Sequence, residues 1–203
     1  MTDKFEQHEL AERLNLIETM IAEGRRTTQN WGWTFVLWGV AYYVAIAWAA
    51  SGHPALAWPV TMVAASVITG VIASRRERSK PSTTLGRAIT AIWISLGISI
   101  SLLLMSLAWS GHVDSHASVA IICAMLGMAN ATSSIVLRWK AQFACALVWW
   151  SSAIAACFVS DSVCTTIFLA AIFFCQIVFG IYCMIAEARK AKGRNAGQGA
   201  FHA

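Results

Sequence analysis

No lysine, arginine, aspartate, glutamate or histidine interrupts the central part of any of six long apolar runs in this 203-residue chain. Proton relays and ion pathways through a bilayer normally show themselves as such residues, so a proton-coupled transporter is disfavoured. Charge is scarce everywhere: 12% of residues are charged and 58% are hydrophobic. An average soluble domain carries about 25% charged residues, and so few charges cannot cover the surface of a soluble chain. The apolar residues must face lipid as well as each other. Six spans of roughly 20 residues each leave no room for a second globular domain. Nothing at the start reads as a basic n-region followed by a short apolar core and a small-residue cleavage site, so the first run is expected to stay as an uncleaved anchor.

The catalytic motifs are missing too. There is no GxSxG elbow, P-loop, GxGxxG or HExxH, and neither a CaaX box nor a glycine after Met1 to take a lipid. The six cysteines, Cys123, Cys145, Cys157, Cys164, Cys175 and Cys183, form no CxxC pair and read as small packing residues. Cys157 and Cys164 fall near one turn, where a disulfide is open to them. The chain is expected not to be an enzyme, and no cofactor is implied beyond the metal reading given below.

What is present is a charge pattern. The runs cover about 33–50, 55–74, 88–109, 117–137, 141–159 and 163–186. Arg75, Arg76, Arg78, Lys80, Arg87, Arg138 and Lys140 fall in the second and fourth gaps between them, and the other three gaps hold no Lys or Arg. Basic loops stay on the cytosolic side. The pattern predicts an all-α polytopic membrane protein: six transmembrane helices in three antiparallel hairpins, with both ends cytosolic. The formal net charge of +5 then lies against anionic headgroups. The basic residues flank spans and do not make one face, which excludes nucleic acid as a partner. Trp31, Trp33 and Trp139 mark one interface and Trp48, Trp58 and Trp109 the other, as an aromatic belt does.

Residues 1–32 read as a cytosolic amphipathic helix with a basic juxtamembrane segment, 33–186 as the transmembrane domain, and 187–203 as a basic tail ending in disorder. In the first segment Leu10, Leu14, Ile17 and Ile21 make one helical stripe. Asp3 and Glu6 resemble a capping box, Gly24 is the expected stop, and Arg25 and Arg26 suit a helix C-terminus. The segment is otherwise acidic, so its stripe suits protein better than anionic lipid: a partner, or a second copy of the chain.

Inside the spans the amides are Asn130 and Gln176, expected to bond across helix interfaces or to line a polar ligand site. Small residues recur every four positions at Ser66, Gly70 and Ser74 and at Cys123, Gly127 and Ala131. Both stripes are expected in the bundle interior or at a dimer interface. On the non-cytosolic side, His53, His112, Asp114, His116 and Asp161 occupy the three short turns. Imidazole and carboxylate suit a transition metal or zinc if they converge.

The junction Met20-Ile21-Ala22-Glu23-Gly24-Arg25-Arg26, followed by Asn30-Trp31-Gly32-Trp33-Thr34-Phe35-Val36-Leu37-Trp38-Gly39, resembles a loose group of small, uncharacterised bacterial inner-membrane proteins. Their shared features are a short cytosolic helix, a basic pair, and Gly-x-x-Phe-x-Leu-Trp-Gly at the opening of the first span. The resemblance covers about forty residues. It implies a bacterial inner membrane and carries no activity. Three functions remain in view: association with a protein partner or second copy, as subunit, sensor or regulator; a small-solute transporter or channel; and a membrane enzyme or redox component with a metal at the histidine face.

Overall fold

The structure, a computed structural model, describes residues 2–77, 84–110 and 114–200. All its regular elements are helical: α1 (Thr2–Asn30), α2 (Gly32–Ala50), α3 (Pro54–Glu77), α4 (Thr84–Ser110), α5 (Ser115–Val136), α6 (Lys140–Ala156), α7 (Asp161–Ile172), a π-helical segment (Phe173–Val178) and α8 (Phe179–Ala200). The last three run on as one rod and α1 runs on into α2, so the described residues make six long helical bodies. Five stretches are long and apolar enough to cross a membrane: His8–Ala50, Leu56–Arg75, Thr84–Leu107, Ser115–Val136 and Asp161–Arg189. The fifth expected span is the exception, because α6 has 17 residues. At 1.5 Å per residue it reaches about 26 Å, against a hydrocarbon core of about 30 Å.

Two expectations about helix ends change. Gly24 does not stop α1, which continues to Asn30. Gly24 is instead buried where α1 comes closest to its neighbours. A Cβ there would lie 2.7 Å from Leu85 Cδ2 and 2.7 Å from Leu137 Cδ2. At the other end, α8 continues to Ala200, beyond the expected end of the last apolar run at 186. Glu187, Ala188, Arg189, Lys190, Ala191 and Lys192 are all good helix formers.

Chain neighbours pack together: α2 on α3, α4 on α5, α6 on α7, and most closely α5 on α6. The core lies between α2, α5, α6 and the α7–α8 rod, with Phe35, Tyr42, Leu126, Trp149, Phe168, Ile172 and Phe179 buried in it. Phe35 meets Phe179 edge-on with centroids 5.3 Å apart, and Tyr43 Oη donates to the Leu169 carbonyl at 2.8 Å. The α2–α8 crossing needs two glycines. A Cβ on Gly180 would stand 2.8 Å from the Gly32 carbonyl oxygen, and one on Gly32 would stand 2.7 Å from Cys183 Cβ.

By contrast, α3 and α4 lie at the edge. Only 17% and 11% of their apolar windows are buried, and Val63, Val67, Ile94, Ile98 and Leu102 face outward. This divides the two small-residue stripes. Cys123, Gly127 and Ala131 are buried, with Trp150 lying over Gly127. Ser66, Gly70 and Ser74 are exposed. In α3 it is Ala57 and Ala65 that turn inward, next to Trp58, whose ring meets Tyr42. That larger contact sets the rotation of the helix and carries the small stripe outward.

Alanine at the two kinds of glycine separates these environments. Gly180→Ala forces the α2–α8 crossing apart, so a loss of about 1–3 kcal/mol, the usual scale of overpacking, is expected as a lower thermal midpoint in detergent. Gly70 has nothing within 4 Å of its Cβ direction. Gly70→Ala should leave the midpoint unchanged or raise it through helix propensity.

Candidate functional site

Three sets of residues carry more chemistry than packing requires. The first is the foot of α1. The carbonyls that end a helix have no partner in the next turn. At the end of α5 they belong to Leu137, its C-cap, and to Arg138, which takes a left-handed φ of 50°. The turn closes with Trp139 N–H donating to the Ser134 carbonyl at 2.8 Å. Arg25 of α1 fills the gap: its Nε donates to the Leu137 carbonyl at 2.5 Å and its Nη2 to the Arg138 carbonyl. A guanidinium suits this place because it satisfies two carbonyls at once and sits at the negative end of the α5 dipole. Gly24 lets α1 approach, Thr28 Oγ1 donates to the Gly24 carbonyl at 3.1 Å, and Thr28 and Gln29 are buried.

Above that foot the expected stripe divides. Leu10, Leu14 and Ile17 remain 62%, 56% and 53% exposed, together with Leu16 and Met20. Ile21 is half-buried and lines a cleft of about 220 Å³ with Glu18, Ala22, Arg25 and Arg138. Arg13 pairs with Glu9 at 2.6 Å along α1. Both are exposed, and such pairs add only a few tenths of a kcal/mol to a helix. They leave the apolar face uncovered.

The second set is the histidine end. His116, in the first turn of α5, faces the Ala156 carbonyl through Nδ1 at 2.8 Å and the Asp161 carboxylate through Nε2. Both partners are acceptors and a neutral imidazole has one N–H, so only the protonated ring holds both. One side chain thereby ties the start of α5, the end of α6 and the start of α7. Asp114 caps its own helix, accepting from Ala117 N–H at 2.8 Å. His53 is exposed in the α2–α3 turn, and His112 lies outside the described residues. Of the five expected metal ligands, the structure brings His116 and Asp161 into contact. Among the described residues no three His, Cys, Asp or Glu side chains gather as a metal site. All six thiols are unpaired, with Cys157 exposed and Cys164 buried.

The third set is inside. Asn130 does not reach another helix: its Nδ2 donates to the Leu126 carbonyl of its own helix at 2.9 Å. Gln176 is buried in the π-helical segment, where it packs on Gly39 of α2. Gln142 is fully buried, and neither end of its amide has a hydrogen-bond partner among the described residues. The same holds for Asn130 Oδ1 and Ser133 Oγ. Gln142 was missed in the sequence because it stands one residue inside the expected start of a span, where a polar side chain reads as a boundary. Its only signal was its place in the second position of an apolar run directly after a tight basic turn.

The foot of α1 yields a direct test. Arg25→Ala removes two charge-assisted hydrogen bonds, about 1.5–3 kcal/mol each by general experience, and leaves the α5 carbonyls uncapped. Limited trypsin digestion at Arg13 should become faster while the bundle stays intact. Arg25→Lys, which has no fork, should fall between the two. Comparison with family models, with curated proteins and with solved structures returns no match for this chain.

Proposed function

We propose that this chain is a multi-pass protein of a bacterial inner membrane, and that it works through association, with α1 as the element that meets a partner or a second copy. The observation that carries this reading is the contrast along α1. Its foot is clamped by Arg25, whereas Leu10, Leu14 and Ile17 stand open to solvent on a helix that is otherwise polar and acidic. An apolar face on a charged helix costs solubility unless something covers it, and lipid selects basic helices over acidic ones. A protein surface is the occupant these residues fit.

The topology in this reading has six crossings and cytosolic ends. It is supported by the confinement of Lys and Arg to alternate gaps. The short α6 crosses by borrowing length from its flanks: Trp139 and Lys140 precede its apolar part, and Phe158, 85% exposed, follows it. Long side chains at such ends reach the interface without more helix.

Two measurements bear on the proposal. Changing Leu10, Leu14 and Ile17 to serine should abolish co-purification of a partner or reduce the oligomer to a monomer, with the thermal midpoint unchanged because these side chains are more than half exposed. Unchanged partners and unchanged size reject the association reading. Separately, in a Cys157→Ser background that removes the exposed native thiol, a cysteine placed at Ser79, between Arg78 and Lys80, should resist a membrane-impermeant maleimide applied to intact cells and react after lysis. Labelling from outside rejects the orientation.

A further inference from the structure

The cleft between α1 and the α5–α6 turn is lined by two cations, one carboxylate and two apolar side chains: Arg25, Arg138, Glu18, Ile21 and Ala22. Arg25 gives two N–H groups to the α5 carbonyls and keeps others of its five donors. Neither the Arg138 guanidinium nor the Glu18 carboxylate has a hydrogen-bond or ion-pair partner among the described residues, and both side chains are exposed. The volume, about 220 Å³, is below the roughly 300–1,000 Å³ of pockets that enclose drug-sized ligands, so it suits a headgroup-sized fragment. The cleft stands beside Trp139, at the end of the apolar part of α5 and α6, where lipid headgroups lie in the membrane reading given above, on which this inference rests.

We propose that this cleft binds a phosphoethanolamine group, as carried by a phosphatidylethanolamine headgroup. The phosphodiester meets Arg138 and the free N–H groups of Arg25. The primary ammonium donates to Glu18, and the linking methylenes lie on Ile21 and Ala22. A purely anionic headgroup leaves Glu18 facing a phosphate, and a purely cationic ligand faces two guanidinium groups. A ligand with one charge of each sign uses all three side chains. The bound headgroup then joins α1 to the α5–α6 turn at the edge of the bilayer, on the same contact that Arg25 makes.

The full-length protein is mixed with vesicles of phosphatidylcholine doped with either phosphatidylethanolamine or phosphatidylglycerol, and retained lipid is counted by native mass spectrometry after extraction. Phosphatidylethanolamine should be retained in preference. Arg138→Gln should lower its retention about two- to fivefold, the scale of an exposed charge pair. Glu18→Gln should remove the preference over phosphatidylglycerol. Both positions are exposed, and unchanged circular dichroism shows that the fold survives. Free O-phosphoethanolamine in excess separates the sources: displacement of the lipid means that the headgroup alone is recognised, whereas binding of free O-phosphoethanolamine without displacement assigns the cleft to the soluble compound. Equal retention of the two lipids by the unaltered protein, or an unchanged preference in Glu18→Gln, overturns the site. A protein that floats with the vesicles but shows no preference loses this site and keeps the membrane reading. A protein that does not float loses both.

Discussion

A carbonyl or N–H that cannot reach water has to find its partner inside the chain, and most polar contacts of this molecule answer that demand. The long helices satisfy their own backbones. The hydroxyls on them turn back onto the same helix: Thr61 to the Ala57 carbonyl, Thr69 to Ala65, Thr90 to Gly86, Thr132 to Met128 and Ser152 to Val148. Asn130 does the same with Leu126. Apart from the buried Gln142 amide, Asn130 Oδ1 and Ser133 Oγ, what remains is the ends, where helical bonding runs out. There the charged side chains do the work. Asp114 caps the start of α5, Arg25 its end, and His116 takes a carbonyl at the end of α6. Charge is rare in this chain, and among the described residues several of the few charges present are spent on backbone groups at helix ends.

The same demand accounts for the uneven packing. Because α3 and α4 satisfy themselves, nothing forces them into the middle, and lipid accommodates their apolar faces as well as protein does. Helices α2 and α8 are drawn together by shape: glycine against glycine at Gly32 and Gly180, and aromatic edges at Phe35 and Phe179. Shape fit is what distinguishes one helix neighbour from another when the surrounding solvent is itself apolar.

That is also why part of the structure was legible in the sequence and part was not. The positions of the helices were legible because each apolar run is bounded by turn residues and charge, and the elements fall close to those bounds. The foot of α1 was half legible. Arg25 was placed near a helix end, but the end it serves belongs to α5, more than a hundred residues away in sequence. Inward and outward faces were not legible. In water a polar residue marks the outer face of a helix, whereas in lipid both faces are apolar, so Ser66-Gly70-Ser74 and Cys123-Gly127-Ala131 carry the same signal and end on opposite sides. Burial of Gln142 was hidden for a related reason, since the end of a span is where polar residues ordinarily meet water. Convergence of the turn histidines depended on which loops meet. The starts of α5 and α7 do meet, through His116 and Asp161.

The geometry of α1 bears on how association could be felt by the bundle. From Leu10 to Arg25 the helix is unbroken, about 22 Å at 1.5 Å per residue, and it continues past Trp31 into α2 with only a change at that residue. A helix of that length moves as a rod. Its foot touches Leu85 at the start of α4 and Leu137 at the end of α5, and it also packs on α8. In the association reading, a partner that favours one tilt of the stripe therefore acts on three helices through one fulcrum. Coupling between distant places requires a contact with two arrangements that both places bias. The Arg25 fork is the contact on which such coupling would act: engaged, as here, it caps α5; released, it would leave two carbonyls to find water. The energy that separates those arrangements is that of two hydrogen bonds, small enough for the binding of a partner to reverse and large enough to hold α1 in place without one.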